Sequence, residues 1–249
     1  MRICAAGIAM CLAVAYLTVA PAAASASCGT RGNYFDGMGY LPSVPGVTQW
    51  YFRGAGANVV TRVNSLCSSI GTVENFTDAW VMVAARDSRG WAQVGYEMNA
   101  VLGSSPRYFA QQYRGDGCPS TYSWCYSTTY WPGGPALNSV HGYWVQYEAA
   151  CACLKMNVDL TTILQTEYQP SQFWPEPFSI QYAAEVGNIN NNVLGTPTSK
   201  LTFDALRVED YGGGWQSIPS PFLQSTNSAP MRWGGPEPTS TTSFRVWTI

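Results

Sequence analysis

AWVMVAARDSRGWAQVGYEMN, residues 79–99, is the stretch of this chain that decides the fold. Two runs of apolar residues flank the polar segment RDSRG at 86–90, a pattern that favours a turn between two antiparallel strands. Alternate residues of a strand share a face, so Gln93, Gly95 and Glu97 point the same way as Trp91. The opposite face carries Ala92, Val94, Tyr96 and Met98 and is predicted to face the core.

The same alternation recurs along the rest of the chain, and no segment after residue 26 sustains the apolar stripe of a long helix. We predict strands at 49–53, 79–85, 91–99, 108–113, 143–150, 153–160, 180–186, 201–208 and 244–248, with a short helix at 58–69. Runs rich in Gly, Pro and Asn separate the strands. The pattern predicts an all-β protein, with residues 27–249 forming a single two-sheet antiparallel β-sandwich.

The first 26 residues have the pattern of a secretory signal peptide. One charge at Arg2 precedes an apolar run and the small-residue string PAAASAS, which offers a cleavage site at Ala24 and Ala26. We therefore expect a secreted, extracellular protein with no membrane contact after cleavage. The alternatives are an uncleaved anchor, because the apolar run approaches the length of a span, and a lipoprotein acylated at Cys28.

Composition restricts the partners. The net charge is −2, charged residues make up only 11% of the chain, and no basic run is present. Because nucleic-acid binding draws on clustered Lys and Arg, DNA and RNA are not expected partners. We expect a monomer whose partner is a polypeptide substrate or another extracellular ligand.

The cysteines predict disulfides rather than a metal site. Six of the eight lie after residue 26, and an even number in an exported chain favours pairing. We expect Cys28 to pair with Cys67. Cys151 and Cys153 lie two apart and would share a face of a strand, so we expect each to pair elsewhere, with Cys118 and Cys125. Zinc bound by thiolates is the alternative, but we expect no metal and no cofactor, since His141 is the only histidine and zinc motifs with two histidines are therefore impossible.

A second apolar strand with a polar face lies far downstream at 180–186. Ile180, Tyr182 and Ala184 form its apolar face, whereas Glu185 lies on the opposite face with Gln181 and Ala183. Small residues beside Gln93 and Glu185 leave space over the sheet for a ligand. The alternative is that these polar residues simply cover a solvated face.

The ordered motifs AWV at 79–81, AQVG at 92–95, YFAQQY at 108–113, AAEV at 183–186 and TF at 202–203 resemble the eqolisins, the secreted glutamic peptidases. The resemblance covers residues 79–208 and implies a concanavalin-like jelly roll. It also implies a catalytic dyad of Gln93 and Glu185, with Trp91, Glu97 and Tyr108 contacting substrate. The chain departs from the family at Val186, where a Trp usually follows the catalytic Glu.

The resemblance implies an acid endopeptidase. Glu185 would activate water as a general base, and the Gln93 amide would stabilise the oxyanion. Without burial, a Glu base of ordinary pKa works best in acid.

Two other classes remain open from the residues alone. The first is a non-catalytic secreted protein that binds carbohydrate or protein on the same fold. The second is a glycoside hydrolase that uses Glu185 with Glu97 or Glu148, and Glu148 shares a strand face with Trp144 and Gln146, which would form a platform for sugar stacking. His141 is predicted to be a surface turn residue.

Overall fold

The structure is a computed structural model, and it describes residues 27–40, 52–67, 75–87, 89–176, 178–218, 224–227, 233–240 and 242–249. The predicted signal peptide and residues 49–51 of the first predicted strand lie outside the described residues. The described chain forms these strands: β1 (Arg31–Tyr40), β2 (Phe52–Val60), β3 (Phe76–Ala84), β4 (Trp91–Asn99), β5 (Gly103–Tyr113), β6 (Tyr126–Tyr130), β7 (Val140–Glu148), β8 (Cys153–Val158), β9 (Thr161–Gln165), β10 (Ser179–Asn188), β11 (Gly195–Thr196), β12 (Ser199–Asp210), β13 (Trp215–Ser217), β14 (Gln224–Asn227), β15 (Trp233–Ser240) and β16 (Ser243–Thr248). One short helix, α1 (Pro170–Phe173), precedes β10. Within this part of the chain, no helix is long and apolar enough to cross a membrane.

The strands form two antiparallel sheets. The first sheet has the order β14-β1-β10-β3-β4-β5-β6. The second has the order β15-β16-β12-β2-β7-β8-β9, with β11 and β13 pairing with β12. This arrangement confirms the predicted two-sheet antiparallel sandwich of the concanavalin-like type.

The core lies between the two sheets and is built from one face of each strand. Val94 and Tyr96 of β4 and Tyr182 of β10 are buried there, and they pack with residues of the second sheet such as Tyr143. Two of the buried tyrosine hydroxyls have partners across the core: Tyr182 donates to the Arg207 carbonyl of β12 at 2.7 Å, and the Tyr96 hydroxyl accepts at 2.8 Å from the backbone N–H of Arg62, which follows β2. These bonds join the first sheet to the second sheet and to the segment after β2, and they avoid the cost of an unpaired buried hydroxyl at these two residues.

The predicted strands from residue 79 onward are confirmed as elements, and 91–99 matches β4 at both ends. The predicted helix at 58–69 is wrong over its described residues. Residues 58–60 continue β2, where Asn58 lies opposite Gly142, and residues 61–67 are irregular. The ladder with β7 supplies backbone hydrogen bonds that a short isolated helix could not match. Residues 68–69 lie outside the described residues.

The disulfides agree with the prediction in part. Cys28 pairs with Cys67 as expected. The other two bonds join Cys118 to Cys125 and Cys151 to Cys153, so the predicted cross-pairing is wrong. Cys151 lies in the turn before β8, and Ala152 has φ 53°, so the chain is not extended there. The rule that residues two apart share a face therefore does not apply to this pair.

Candidate active site

Three carboxylic acids lie in one row on the outer face of the first sheet, the face away from the core. The register sets Glu185 of β10 opposite Asp78 of β3, and Asp78 opposite Glu97 of β4. Directly opposite residues share a face and have Cα atoms about 5 Å apart. We call Glu185, Asp78 and Glu97 the carboxylate row. Its two glutamates are two strands apart, about 10 Å between Cα atoms.

Hydrogen bonds hold the two ends of the carboxylate row. The Trp80 indole N–H donates to Glu185 Oε2 at 2.9 Å. Glu97 Oε1 accepts from Asn99 Nδ2 at 2.9 Å and from the Tyr130 hydroxyl at 3.1 Å. Asp78 Oδ1, in the middle of the row, is buried without a hydrogen-bond partner. The row therefore has oriented ends and a central carboxyl oxygen that is open to a further interaction.

Burial and mutual repulsion keep protons on this row. Burial, together with the charges of Glu185 and Glu97, raises the pKa of Asp78 well above its usual range. Burial also raises the pKa of Glu185 to about 7. The hydrogen bond from Trp80 lowers this pKa, whereas the charge of Glu97 adds to the rise. Burial raises the pKa of Glu97 to about 7, against its bonds from Asn99 and Tyr130. Burial and the neighbouring like charges thus disfavour full ionisation of these three carboxyl groups.

Gln93 lies on the same face but in another row, opposite Met82, which in turn lies opposite Gln181. The Gln93 amide donates to Gln111 Oε1 at 3.0 Å, and the Trp91 indole N–H donates to the same oxygen at 3.0 Å. β5, which carries Gln111, lies on the side of β4 away from β10. The Gln93 amide is therefore directed away from Glu185.

The register separates the two residues of the predicted dyad. Glu185 is four residues along β10 from Gln181, about 13 Å, and Gln93 is two strands across, about 10 Å. The two Cα atoms are thus about 16 Å apart. Because each side chain is also hydrogen-bonded to a different partner, the geometry brings Glu185 to Asp78 rather than to Gln93.

An apolar floor occupies the space between the two rows. Trp80 and Phe109 pack over Ala183, with Phe35 and Met82 at the edges. Ala183 is fully buried under this cluster. The space expected above Ala183 is therefore filled by Trp80, whose indole N–H reaches Glu185 from there.

Comparisons with known proteins bear on the fold. No protein-family model and no curated protein sequence matches the chain. The solved structure of scytalido-glutamic peptidase with a transition state analog inhibitor matches with a TM-score of 0.57 at 11% identity, over 88% of this chain and 100% of that one. SCP-B, an eqolisin solved with the tripeptide Ala-Ile-His, matches with a TM-score of 0.54 at 10% identity and the same coverage. This chain shares the eqolisin fold.

The eqolisin resemblance seen in the sequence is therefore confirmed as a distant one. A third structure, SCLam, a non-specific endo-β-1,3(4)-glucanase of family GH16, matches with a TM-score of only 0.39 at 10% identity, over 65% of this chain and 64% of that one. The eqolisin fold accounts for the sandwich.

Within this eqolisin fold, the predicted substrate contacts divide between the two faces of the first sheet. Trp91 and Glu97 lie on the outer face with Gln93, and Trp91 packs on Tyr113 with ring centroids 4.8 Å apart. Tyr108 lies opposite Tyr96 and so belongs to the core-facing side, where it contacts Tyr143 and the His141 ring. The structure therefore does not bring Tyr108 to the face that carries the carboxylate row.

Glu148 lies on the other sheet. It ends β7 and pairs with Lys155 at 3.0 Å, so of the two proposed glycosidase partners only Glu97 shares a row with Glu185. The described residues contain no group of three or more His, Cys, Asp or Glu side chains placed to hold a metal ion.

His141 lies on β7 and not in a turn. Its Nδ1 is 3.0 Å from Asp159 Oδ2, and its Nε2 is 2.9 Å from Ser139 Oγ. Ser139 Oγ also donates to the Ala136 carbonyl at 2.6 Å, which can only accept. Because the serine proton is directed to that carbonyl, Ser139 accepts from the ring, which is the reverse of the arrangement in an activated serine nucleophile.

Sequence reasoning missed Asp78. The predicted strand began at residue 79, three residues after the start of β3, and so left out Asp78, although the alternation of Asp78 with Trp80 and Met82 places all three on the outer face. This alternation was the available signal. The pairing of Asp78 with Glu185 could not be read from it, because that pairing depends on the register between strands about a hundred residues apart.

Proposed function

We propose that this protein is a secreted peptidase in which Glu185 and Asp78 act together on water and a peptide bond. The observation that carries the proposal is that Glu185 lies directly opposite Asp78, with both side chains buried and the Asp78 Oδ1 atom unpartnered. Two carboxyl groups that share a proton can hydrolyse a peptide bond without histidine or metal.

In the proposed reaction, ionised Glu185 removes a proton from water, and the water oxygen bonds to the carbonyl carbon. Asp78 gives its proton to the carbonyl oxygen. When the tetrahedral intermediate collapses, the C–N bond breaks, the leaving nitrogen takes the proton from Glu185, and Asp78 regains its own from the hydroxyl. Both groups end in their starting protonation states.

The raised pKa values change the expected working pH. Burial raises the pKa of Glu185 to about 7, and burial together with the neighbouring charges raises that of Asp78, so we propose that the pair supplies one base and one acid near neutral pH. We therefore propose a peptidase that works near pH 7 rather than the acid endopeptidase expected for an unburied Glu. Glu97 contributes because its negative charge helps to keep the proton on Asp78.

We propose that Gln93 binds the substrate away from the reacting bond. Gln93, Gln111 and Gln181 lie in one row, and their amides can pair with the backbone of an extended peptide. The distance of about 13 Å to the carboxylate row corresponds to about four extended residues. The fold likeness to two peptidases solved with peptide-like ligands is consistent with this substrate class.

A glycoside hydrolase is the second candidate, favoured by one observation. Glu185 and Glu97 lie in the same row with one strand between them, and paired catalytic carboxyls in glycosidases are about 5 to 9.5 Å apart. In that case Glu185 and Glu97, rather than Asp78, would be the essential pair.

The test uses the purified mature chain and the variants Glu185→Gln, Asp78→Asn and Glu97→Gln. Matched controls are Glu167→Gln and Asp204→Asn, two exposed acids outside the carboxylate row. Casein and peptide mixtures are digested between pH 4 and 9 and analysed by mass spectrometry, with β-glucans assayed in parallel. Near-UV circular dichroism checks that each variant is folded.

We expect peptide cleavage near pH 7, with a loss of at least about 100-fold in Glu185→Gln and in Asp78→Asn. The controls should match the wild type. Glucan cleavage that depends on Glu185 and Glu97 would replace the peptidase by the glycosidase. If neither substrate is cleaved, the non-catalytic binding protein remains.

A further inference from the structure

The outer face of the second sheet carries a groove of about 470 Å³ that is distant from the carboxylate row. Strands β7, β8 and β9 form its floor, and Arg207 of β12 and Trp215 of β13 close one side. Because the two outer faces belong to different sheets with the core between them, this groove is separate from the proposed active site.

The floor of the groove contains a tryptophan laid flat on the sheet. The Trp144 indole covers Gly56 and Gly142: a Cβ on Gly56 would overlap the ring, and a Cβ on Gly142 would lie 2.6 Å from Nε1. Strand glycines weaken a sheet, and they commonly mark a place of close approach. Here the absence of side chains on the two glycines lets one face of the Trp144 indole pack on the backbone, while the other face is turned to the groove.

A second tryptophan, Trp215, lines the side of the groove next to Trp144. The Trp215 ring lies 5.1 Å from the Trp144 ring at an interplanar angle of 89°. The two rings make a right-angled corner in which a flat group can stack on Trp144 and abut Trp215. The edge-to-face contact is a favoured aromatic geometry, so the corner is stable in the absence of a ligand.

Apart from Leu160, the remaining lining is polar and balanced in charge. Gln146, Asn157 and Thr162 supply amide and hydroxyl groups, and Thr162 Oγ1 donates to Asn157 Oδ1 at 2.7 Å. The charged residues comprise two cations and two anions, namely Lys155, Arg207, Glu148 and Asp159. Lys155 is already paired with Glu148 at 3.0 Å, so the groove offers no excess charge to a polyanion.

We propose that this groove binds a neutral oligosaccharide chain. The apolar C–H face of a sugar ring matches the open face of Trp144, and the amides and hydroxyls beside it can both donate to and accept from sugar hydroxyls. A few polar groups converging around an aromatic surface are typical of small-ligand sites. The groove tethers the protein to a polysaccharide, independently of the chemistry at Glu185.

Titration calorimetry and tryptophan fluorescence with cellohexaose, laminarihexaose and chitohexaose test the proposal, with hexagalacturonate as the acidic comparison. We expect at least one neutral hexasaccharide to bind with a Kd below about 1 mM. Trp144→Ala should weaken it at least tenfold, and Gly56→Ala should weaken it with both tryptophans still present. Trp131→Ala, which removes an exposed tryptophan outside the groove, should leave it unchanged.

Trp215→Ala removes only the ring at the side of the groove, so its sugar affinity tests the proposal independently if Trp144→Ala fails to fold. Glu185→Gln should bind the sugar like the wild type, which separates this proposal from the proposed peptidase. The proposal is overturned if no neutral hexasaccharide binds with a Kd below about 1 mM, if Trp144→Ala and Trp215→Ala bind as well as the wild type, or if hexagalacturonate binds more tightly.

Discussion

Asp78 and Glu185 lie directly opposite each other on the neighbouring strands β3 and β10, both buried on the outer face of the first sheet. Two carboxylates this close cannot both ionise without strong repulsion, so the pair retains a proton over a wide pH range. Glu97 extends the row by one strand and adds a third carboxyl group.

The pH dependence of catalysis should be bell-shaped with its maximum near neutral pH. Activity should rise as Glu185, whose pKa is raised to about 7 by burial, loses its proton. It should fall at higher pH as Asp78 ionises, because burial and the neighbouring glutamates hold the Asp78 pKa well above its usual range. The measurement is kcat/KM for one peptide from pH 4 to 10. A maximum below pH 5 would contradict it.

Trp80→Phe should move the acidic limb of that profile to higher pH. The Trp80 indole donates a 2.9 Å hydrogen bond to Glu185 and so favours its ionised form. Loss of a hydrogen bond to a charged group costs about 1.5 to 3 kcal/mol, which corresponds to a displacement of about one pH unit or more. Trp124→Phe, which alters an exposed tryptophan outside this sheet face, is the control. If the acidic limb of the kcat/KM profile stays at the same pH in Trp80→Phe, Trp80 does not act on Glu185.

Gln93→Ala should raise KM and leave kcat within about threefold of the wild type. Gln93 lies two rows from Glu185 and its amide is bonded to Gln111, so it is placed to bind substrate and not the reacting oxygen. Steady-state kinetics on a series of peptides of increasing length separates the two constants. A fall in kcat of about 100-fold or more would instead restore Gln93 as an oxyanion donor.

The folded protein should be more stable in mild acid than at alkaline pH. Burial raises the pKa of Asp36 to about 7, against a backbone hydrogen bond from Gly37, and burial raises those of the carboxylate row as well. The folded chain therefore holds protons that the unfolded chain loses near pH 4, so stability is greatest below about pH 4 and falls as pH rises toward 7. Exposed Glu148 and Glu237 act in the opposite sense, but their lysine pairs are screened by solvent.

In calorimetry, the loss of stability at higher pH should appear as a Tm that is roughly 5 °C or more higher at pH 5 than at pH 8. Asp36→Asn should reduce the difference, because Asn cannot ionise, whereas Asp204→Asn, at an exposed position, should not. A Tm that rises from pH 5 to pH 8 would contradict the assignment of these buried acids.

Gly95→Ala should destabilise the protein by about 1 to 3 kcal/mol. A Cβ on Gly95 would overlap the carbonyl oxygen of Ala79 on the neighbouring strand, and a backbone atom in the middle of a sheet cannot move aside. Gly212→Ala is the control, since its Cβ would approach only the Asp210 side chain, at 3.2 Å. Urea unfolding of both variants measures the difference, and equal midpoints would refute it.

Local pattern was enough to predict most of the sandwich. The hairpin of β3 and β4 and the core-facing set that includes Val94 and Tyr96 follow from period-2 alternation, which is a property of a single strand. Seven of the described strands were not predicted, namely β1, β6, β9, β11, β13, β14 and β15. The sequences of β1 and β6, RGNYFDGMGY and YSTTY, are rich in glycine or hydroxyls and lack the apolar alternation of the predicted strands.

The sequence by itself determined which residues face outward: Gln93, Glu97 and Glu185 are all on the outer face as alternation requires. Only the tertiary structure decided which of them meet. Register is set by hydrogen bonds and packing between strands far apart in sequence, and a shift of four residues separates Glu185 from the row of Gln93 while bringing it to Asp78. Strand parity is local and can be read from the chain, whereas the neighbour across the sheet is not local, and here that neighbour is the one on which the proposed chemistry depends.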